Sequence, residues 1–162
     1  MFKNIQQKVY IETKFTTPIY QIFLNNDYLM FVTDKMKTTV LRYISNMLKG
    51  KLHEKISDKK TITLIRSIIA RCFEICHLLM DQYDIYHGDE HLNNFMITYN
   101  FDPYNFNPDE IKIIDFGKAY YNNKLLADTK KNKIENQEHG RIIHLFKKSL
   151  DGFEDFHLMS FS

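Results

Sequence analysis

Apolar residues recur at three- and four-residue steps in three parts of the chain, and this spacing predicts helices. The longest predicted helix covers residues 61–81. Its apolar set is Ile65, Ile68, Ile69, Cys72, Cys76, Leu79 and Met80. A shorter helix is predicted over residues 38–49, where Thr38 or Thr39 is a suitable N-terminal cap. Residues 139–150 predict one more helix.

Apolar runs between turn residues predict strands elsewhere. Residues 18–33 contain two such runs around Asn25-Asn26-Asp27, three residues that tolerate turn geometry, and they predict a β-hairpin. Residues 5–14 have a weaker strand-like pattern. Two short strands are predicted at residues 95–99 and 111–114.

Polar stretches predict three loops. Residues 51–60 are polar and basic, and residues 100–110 form a turn-rich excursion between the two short strands. Residues 118–138 are polar and carry several lysines, beginning with Lys118, which we interpret as a solvated surface loop. The tail, which ends in FEDFHLMSFS, has no predicted element.

The composition is that of an ordinary globular domain. The chain has 162 residues, of which 44% are hydrophobic and 26% charged, so we expect one compact domain with a real core. The net charge of +2 indicates no particular partner, and nucleic-acid binding is not expected. No apolar run approaches the roughly 18 residues needed to span a bilayer, so no membrane partner is expected either.

The two cysteines, Cys72 and Cys76, lie one helical turn apart, where a disulfide would constrain little. We expect them to be reduced, half-buried residues of an intracellular, cytoplasmic protein. Lys, Asn, Ile, Phe and Tyr are frequent, which is the bias that an AT-rich genome produces. This bias favours a large DNA virus or an intracellular bacterium as the source, and a viral protein would act in the host cell.

The candidate chemistry lies in two motifs. The first reads His87-Gly88-Asp89-Glu90-His91-Leu92-Asn93-Asn94, and the second reads Ile113-Ile114-Asp115-Phe116-Gly117. Phosphoryl transfer from a nucleotide needs one group that holds the acceptor hydroxyl and two oxygen ligands for magnesium. Asp89 suits the first role. Asn94 offers a neutral oxygen and Asp115 an anionic oxygen for Mg²⁺.

The order of these motifs resembles that of the protein-kinase-like superfamily. The form His-Gly-Asp-x-His is most similar to that of aminoglycoside and choline kinases and of atypical small kinases. The resemblance implies that Asp89 is the catalytic base and that His91 lies near the transferred phosphate. It implies in the same way that Asn94 and Asp115 are the two magnesium ligands.

The resemblance extends beyond these four positions. It implies that His87 and Phe116 form a buried pair that joins the two motifs. Residues 28–36 resemble the last strand of an N-terminal lobe and the hinge that follows, where the backbone would bind the adenine of ATP. These contacts are expected from Phe31, Val32 and Thr33.

The resemblance therefore implies an α+β, protein-kinase-like fold. Residues 1–36 would be a residual N-terminal β-hairpin with the hinge, and residues 37–162 a truncated, mostly helical C-terminal lobe. The chain departs from the family pattern in having no glycine-rich loop and no Ala-Pro-Glu motif. The strand lysine that holds nucleotide phosphates also has no clear match, although three lysines are possible by position: Lys3, Lys8 and Lys14.

Two other interpretations of the motifs remain. His87 to His91 also fits the H-x-x-E-H pattern of inverted zinc proteases, which needs both histidines on one face of a helix. Gly88 and the two asparagines that follow disfavour a helix there. Alternatively, Asp89, Asn94 and Asp115 are ordinary turn and cap residues, although their joint order argues against coincidence.

Two functions are consistent with the kinase-like interpretation. The first is an ATP- and Mg²⁺-dependent phosphotransferase that acts on a hydroxyl, on a protein in preference to a small molecule. The second is a pseudokinase or binding module with little activity alone, whose N-terminal lobe a protein partner would complete. The intact motifs favour the first function, and the missing glycine-rich loop and strand lysine favour the second.

Overall fold

The computed structural model describes residues 2–25, 28–51, 59–121 and 128–150. In chain order its elements are α1 (Phe2–Thr13), β1 (Ile19–Leu24), β2 (Leu29–Thr33), β3 (Thr38–Thr39), α2 (Val40–Lys51), α3 (Lys59–Tyr83), β4 (Ile85–Tyr86), β5 (Phe95–Ile97), β6 (Ile111–Ile113), β7 (Tyr120–Tyr121) and α4 (Asp128–Leu150). Single turns of 3-10 helix lie at Leu92–Asn94, Pro108–Glu110 and Phe116–Lys118. Helices and small antiparallel sheets together confirm the α+β class.

The long helix α3 supplies much of the core and confirms the predicted helix. Its buried apolar residues are Ile65, Ile68, Ile69, Cys72, Ile75, Cys76, Leu79 and Met80. Cys72 and Cys76 are free thiols, and they are fully buried rather than half-buried as expected. Burial raises the pKa of both thiols, so they stay protonated at neutral pH.

The predicted helix at residues 38–49 is confirmed as α2. Thr39 is its N-terminal cap, because the Thr39 hydroxyl accepts a hydrogen bond from the Arg42 backbone N–H at 3.2 Å. Val40, Ile44 and Leu48 form its buried face. Most of the predicted loop at residues 51–60 lies outside the described residues, but Lys59 and Lys60 already belong to α3.

The strand predicted at residues 5–14 is wrong, because this segment forms helix α1. Ile5 and Val9 are fully buried and lie four residues apart, which puts both on one helical face. Gln6 is also buried and donates to the Thr17 carbonyl at 3.4 Å. Two apolar residues, Ile5 and Val9, are too few to reveal a helical period in the sequence.

The predicted hairpin is confirmed as the antiparallel pair β1 and β2, in which Ile22 lies opposite Phe31. Two residues of its turn, 26 and 27, lie outside the described residues. The segment after β2 leads to the three-stranded sheet that contains β5. There the Lys37 N–H donates to the Ile97 carbonyl at 2.8 Å.

The main sheet has the strand order β3-β5-β6, and all of its pairs are antiparallel. It confirms the strands predicted at residues 95–99 and 111–114, each with slightly shorter bounds. Residues 100–110 form turns, as predicted. The segment between α1 and β1 also joins this sheet, because the Ile113 N–H donates to the Phe15 carbonyl at 2.8 Å.

The surface loop predicted at residues 118–138 is wrong in two places. Tyr120 and Tyr121 form β7, and helix α4 already begins at Asp128, well before the predicted start at 139. The first half of α4 is almost entirely polar, so no apolar period marks it. Residues 122–127 and 151–162, which include the tail, lie outside the described residues. Of the helices described, none has the length and apolar character to cross a bilayer.

Candidate active site

Two strand pairs bring the sequence motifs together. The first motif forms the Asp89 loop, residues 87–94, which connects β4 to β5. The second forms the Asp115 turn, residues 114–119, which connects β6 to β7. Because β5 pairs with β6 and β4 pairs with β7, both ends of each segment are held against the other segment.

Side-chain contacts join the loop to the turn. His87 Nε2 lies 2.8 Å from the carbonyl oxygen of Ile114, which can only accept, so Nε2–H is the donor. The ring of His87 packs edge-on against Phe116 with a centroid distance of 4.8 Å, and both rings are buried. Burial lowers the pKa of His87, which keeps the ring neutral at pH 7. The expected buried pair is therefore present.

Gly88 allows the Asp89 loop to approach the Asp115 turn closely. Its φ of +83° is a conformation that L side chains rarely adopt. A Cβ atom at this position would lie 2.6 Å from the backbone oxygen of Lys118, which is far inside van der Waals contact. The residue between His87 and Asp89 must therefore be glycine for both motifs to keep their places.

Asp89 stands beside two cationic or titratable groups. The Lys118 ammonium lies 3.0 Å from Asp89 Oδ1, and His91 Nε2 lies 3.8 Å from Oδ2. Burial alone would raise the pKa of Asp89, but the hydrogen bond and charge of Lys118, with smaller contributions from the two histidines, hold it below its ordinary value. Asp89 is thus ionised at neutral pH, as a proton acceptor must be.

The two predicted magnesium ligands flank the β5–β6 pair. Asn94 is mostly buried, and its Nδ2 donates to the Asp89 carbonyl at 2.8 Å, which directs Oδ1 to the opposite side. Asp115 has a left-handed φ of 61°, and its exposed carboxylate accepts from the Gly117 N–H at 3.2 Å. The backbone also links them, since the Ile114 N–H donates to the Asn94 carbonyl at 2.8 Å.

This donor set fits Mg²⁺ in its chemistry. Magnesium prefers oxygen ligands and is usually held by one or two carboxylates together with phosphate and water. One carboxylate from Asp115 and one amide oxygen from Asn94 meet that requirement. Within residues 2–25, 28–51, 59–121 and 128–150, no group of three or more His, Cys, Asp and Glu side chains forms a metal cluster.

The zinc-protease interpretation is wrong. Residues 87–91 form an extended loop, not the helix that would put His87 and His91 on one face. His87 Nε2 instead binds the Ile114 carbonyl.

Two residues of this site have no signal in the sequence. Lys118 was expected to be part of a solvated loop, yet its ammonium pairs with Asp89. Glu90 has a side chain that is only 1% exposed and that accepts from the Gly88 N–H at 3.1 Å. The Arg141 guanidinium, from α4, donates to the other oxygen of Glu90. Glu90 and Arg141 lie 51 positions apart in the sequence, and nothing in the sequence marks them as partners.

The predicted adenine-binding residues Phe31, Val32 and Thr33 lie on β2. This strand is in a different sheet from β4 and β5, the two strands that the Asp89 loop connects. All three are exposed. The candidate strand lysines do not lie on a strand, because Lys3 and Lys8 are on α1 and Lys14 follows it directly. The structure therefore brings together Asp89, His91, Asn94 and Asp115, and it places the hairpin residues on a separate element.

Gly88→Ala should destabilise the fold by about 1–3 kcal/mol, because the new Cβ meets Lys118 backbone and the φ becomes strained. Urea unfolding monitored by circular dichroism measures this. The control is Gly140→Ala, in a helix with no atom within 4 Å of the added Cβ, which should stabilise by up to about 1 kcal/mol. Equal stability of the two variants would contradict the close approach.

Arg141→Met should destabilise by about 3 kcal/mol, because the buried Glu90 carboxylate loses its countercharge. The same unfolding experiment measures the loss. Adding Glu90→Gln to Arg141→Met should recover part of it, since the double variant buries no unpaired charge. If the effects of the two substitutions simply add, the pair is not coupled in the way the structure indicates.

Lys118→Gln should raise the pKa of Asp89, because the variant removes the nearest positive charge and leaves burial in place. The carboxylate would then take up its proton at higher pH than in the wild-type chain. Carbon-detected NMR titration of the Asp89 side chain measures this directly. Lys49→Gln, at an exposed position on α2, is the control. An unchanged Asp89 titration in Lys118→Gln would show that the ion pair does not form.

Comparison with known proteins gives one family match. The sequence profile of the ecdysteroid kinase-like family matches residues 2–126, which is more than half of the chain. A search of curated proteins gave no match. The match confirms the predicted superfamily and the kinase-like fold, whereas the similarity to aminoglycoside and choline kinases stays a resemblance of one loop. The chain belongs to the ecdysteroid kinase-like family, within the protein-kinase-like superfamily of phosphotransferases.

Proposed function

We propose that this chain transfers the γ-phosphate of ATP to a hydroxyl group with the help of Mg²⁺. The observation that carries the proposal is the pairing of the Asp89 loop with the Asp115 turn. Asn94 and Asp115 lie at the same end of the β5–β6 pair, and the Asp89 loop, which carries an ionised carboxylate, is joined to that end. Catalysis of phosphoryl transfer is mainly positioning and charge stabilisation, and a rigid pair of loops supplies positioning.

Each residue has a distinct role in this proposal. Asp89 orients the acceptor hydroxyl and takes its proton late in the transfer. His91 lies next to Asp89 and faces the transferred phosphate. Asn94 Oδ1 and the Asp115 carboxylate hold Mg²⁺, which when bound neutralises charge on the nucleotide phosphates. Lys118 lowers the pKa of Asp89 through their 3.0 Å contact.

The hairpin is the proposed adenine site. In this proposal residues 1–36 form a small N-terminal layer and residues 37–162 the C-terminal lobe. The adenine ring would hydrogen-bond to the backbone of β2 on the edge away from β1. The backbone groups that would bind the adenine ring belong to Phe31, Val32 and Thr33.

The second candidate function is a cytoplasmic binding module that needs a partner to complete the N-terminal layer. Two observations favour it. Lys3 and Lys8 lie on a helix, so neither can act as the strand lysine that holds nucleotide phosphates. The hairpin also exposes large apolar side chains, among them Leu24, which is 82% exposed, and Tyr20, which is 66% exposed. Exposed apolar surface of this kind is typical of a protein contact.

The acceptor has two candidate classes. The sequence favours a hydroxyl on a protein, because little of the chain is left to enclose a small substrate. The family is named for kinases that act on ecdysteroids, which favours a small molecule. The assay below therefore includes a generic protein acceptor and an ecdysteroid.

The test is transfer of label from ATP in the presence of Mg²⁺ by the purified chain, with each acceptor in a separate reaction. Asp89→Asn and Asp115→Asn should each reduce transfer at least about 100-fold, because one removes the base and the other a metal ligand. Asp81→Asn, at an exposed position at the end of α3, should transfer as the wild type does.

Nucleotide binding separates the two functions. Mg²⁺-dependent ATP binding without transfer, lost in Asp115→Asn, supports the binding module. Transfer that survives in both Asp89→Asn and Asp115→Asn contradicts the assigned roles. No Mg²⁺-dependent ATP binding by the wild-type chain contradicts the enzyme function for this chain alone.

A further inference from the structure

A second cleft lies away from the Asp89 loop, where three segments of the chain meet. It has a volume of about 470 Å³, within the ~300–1,000 Å³ range of small-molecule sites. Its walls come from α1 and the segment that follows it, from the segment between β2 and β3, and from β6 and the turn that follows β5. We call it the Lys112 cleft, after the lysine of β6 that lines it.

Positive charge dominates this cleft. Lys14, Lys35 and Lys112 line it, and among the described residues that line it Asp34 supplies the one carboxylate. The Lys112 ammonium is tied to the cleft wall, since it donates to the Lys14 carbonyl at 2.6 Å. Burial lowers the pKa of Lys112, which means that its charge is incompletely solvated. An anion in the cleft would offset that desolvation.

Aromatic rings hold the other two ammonium groups. Lys14 Nζ lies 4.0 Å from the centroid of the Tyr10 ring, and Lys35 Nζ lies 5.5 Å from that of Tyr99. These cation–π contacts place the two charges at the cleft, and neither ammonium has an ion pair with a carboxylate of the described residues that an anion would have to displace. Tyr99 itself lines the cleft and is 55% exposed, so its side chain is accessible to an organic group.

An orphan hydroxyl gives the second, independent indication of a ligand. Thr16 lines the cleft and is only 1% exposed, yet its hydroxyl has no hydrogen-bond partner among the residues that the structure describes. Buried hydroxyls without a partner are rare because they cost free energy. An oxyanion could accept this hydrogen bond.

We propose that the Lys112 cleft is a second binding site, which takes the phosphate group of a small phosphate monoester. Lys14, Lys35 and Lys112 would donate charge-assisted hydrogen bonds to the phosphate oxygens, and the Thr16 hydroxyl would complete the set. The volume exceeds what a bare phosphate needs, and the organic part of the ligand lies against Tyr99. Such a ligand would connect α1, the segment after β2 and β6, and it requires no nucleotide or Mg²⁺.

The test is a ¹H–¹⁵N NMR titration of the full chain with glucose 6-phosphate, without nucleotide or Mg²⁺, beside titrations with inorganic phosphate and with glucose. Saturable shifts are expected at Thr16, Lys35 and Thr98 with both phosphate compounds, stronger for the sugar phosphate, and none with glucose. Shifts confined to Gly88, Asn94 and Gly117 would mean that phosphate enters the Asp89 site, and they would overturn the proposal.

Four variants sharpen the test. Lys35→Gln should weaken binding about tenfold or more, because it removes one charge-assisted hydrogen bond. Thr16→Val should weaken binding while the free protein stays folded, since the hydroxyl it removes is unpaired. Asp34→Asn should tighten binding, because it removes the opposing charge. Lys49→Gln should leave binding unchanged. Affinity that is equal in Lys35→Gln, Thr16→Val and the wild type would overturn the proposal.

Discussion

The antiparallel pairing of β5 with β6 is the constraint on which the candidate site depends. It places Asn94, just before β5, beside Ile114, just after β6, and the backbone hydrogen bond between them fixes that register. The pairing of β4 with β7 closes the opposite side, and the stacked rings of Tyr86 and Tyr120 lie over it. Two loops that are 20 residues apart in sequence thereby become one rigid unit. A slip of either register would turn the loop side chains to the other face.

Buried polar groups fix the position of the Asp89 loop against the Asp115 turn and helix α4. His87 is buried and neutral and binds a carbonyl of the Asp115 turn, while Glu90 is buried and charged and binds both the Gly88 N–H and Arg141. Each needs its partner, because an unpaired polar group in the interior is costly. Helix α4 supplies Arg141, and it also packs Phe146 edge-on against Phe95. This helix begins at Asp128, just after the segment 2–126 that the family profile matches, so part of the support for the Asp89 loop comes from residues outside the matched segment.

The sequence predicts local features well and tertiary partners poorly. Helix α3 could be recognised because seven apolar residues repeat with helical spacing, and the structure buries all seven. Helix α1 could not, because the described burial over residues 4–13 gives two buried apolar residues, Ile5 and Val9. The motif residues were found because their chemistry and order are local. Lys118 and Arg141 were missed because their roles depend on tertiary contacts. Folding brings Lys118 to Asp89 and Arg141 to Glu90, and the sequence does not indicate either contact.

The charges around the loops have a consequence for how the proposed metal would be held. Asp89 is paired with Lys118, and Glu90 is buried against Arg141, so each of these carboxylates has a countercharge. Asp115 is the carboxylate that stays exposed on the turn, next to the neutral amide of Asn94. One carboxylate and one amide attract a dication only weakly against its hydration shell. In the proposed reaction the phosphates of the nucleotide must therefore supply most of the negative charge, and the proposed hairpin site must hold that nucleotide with no lysine on β1 or β2.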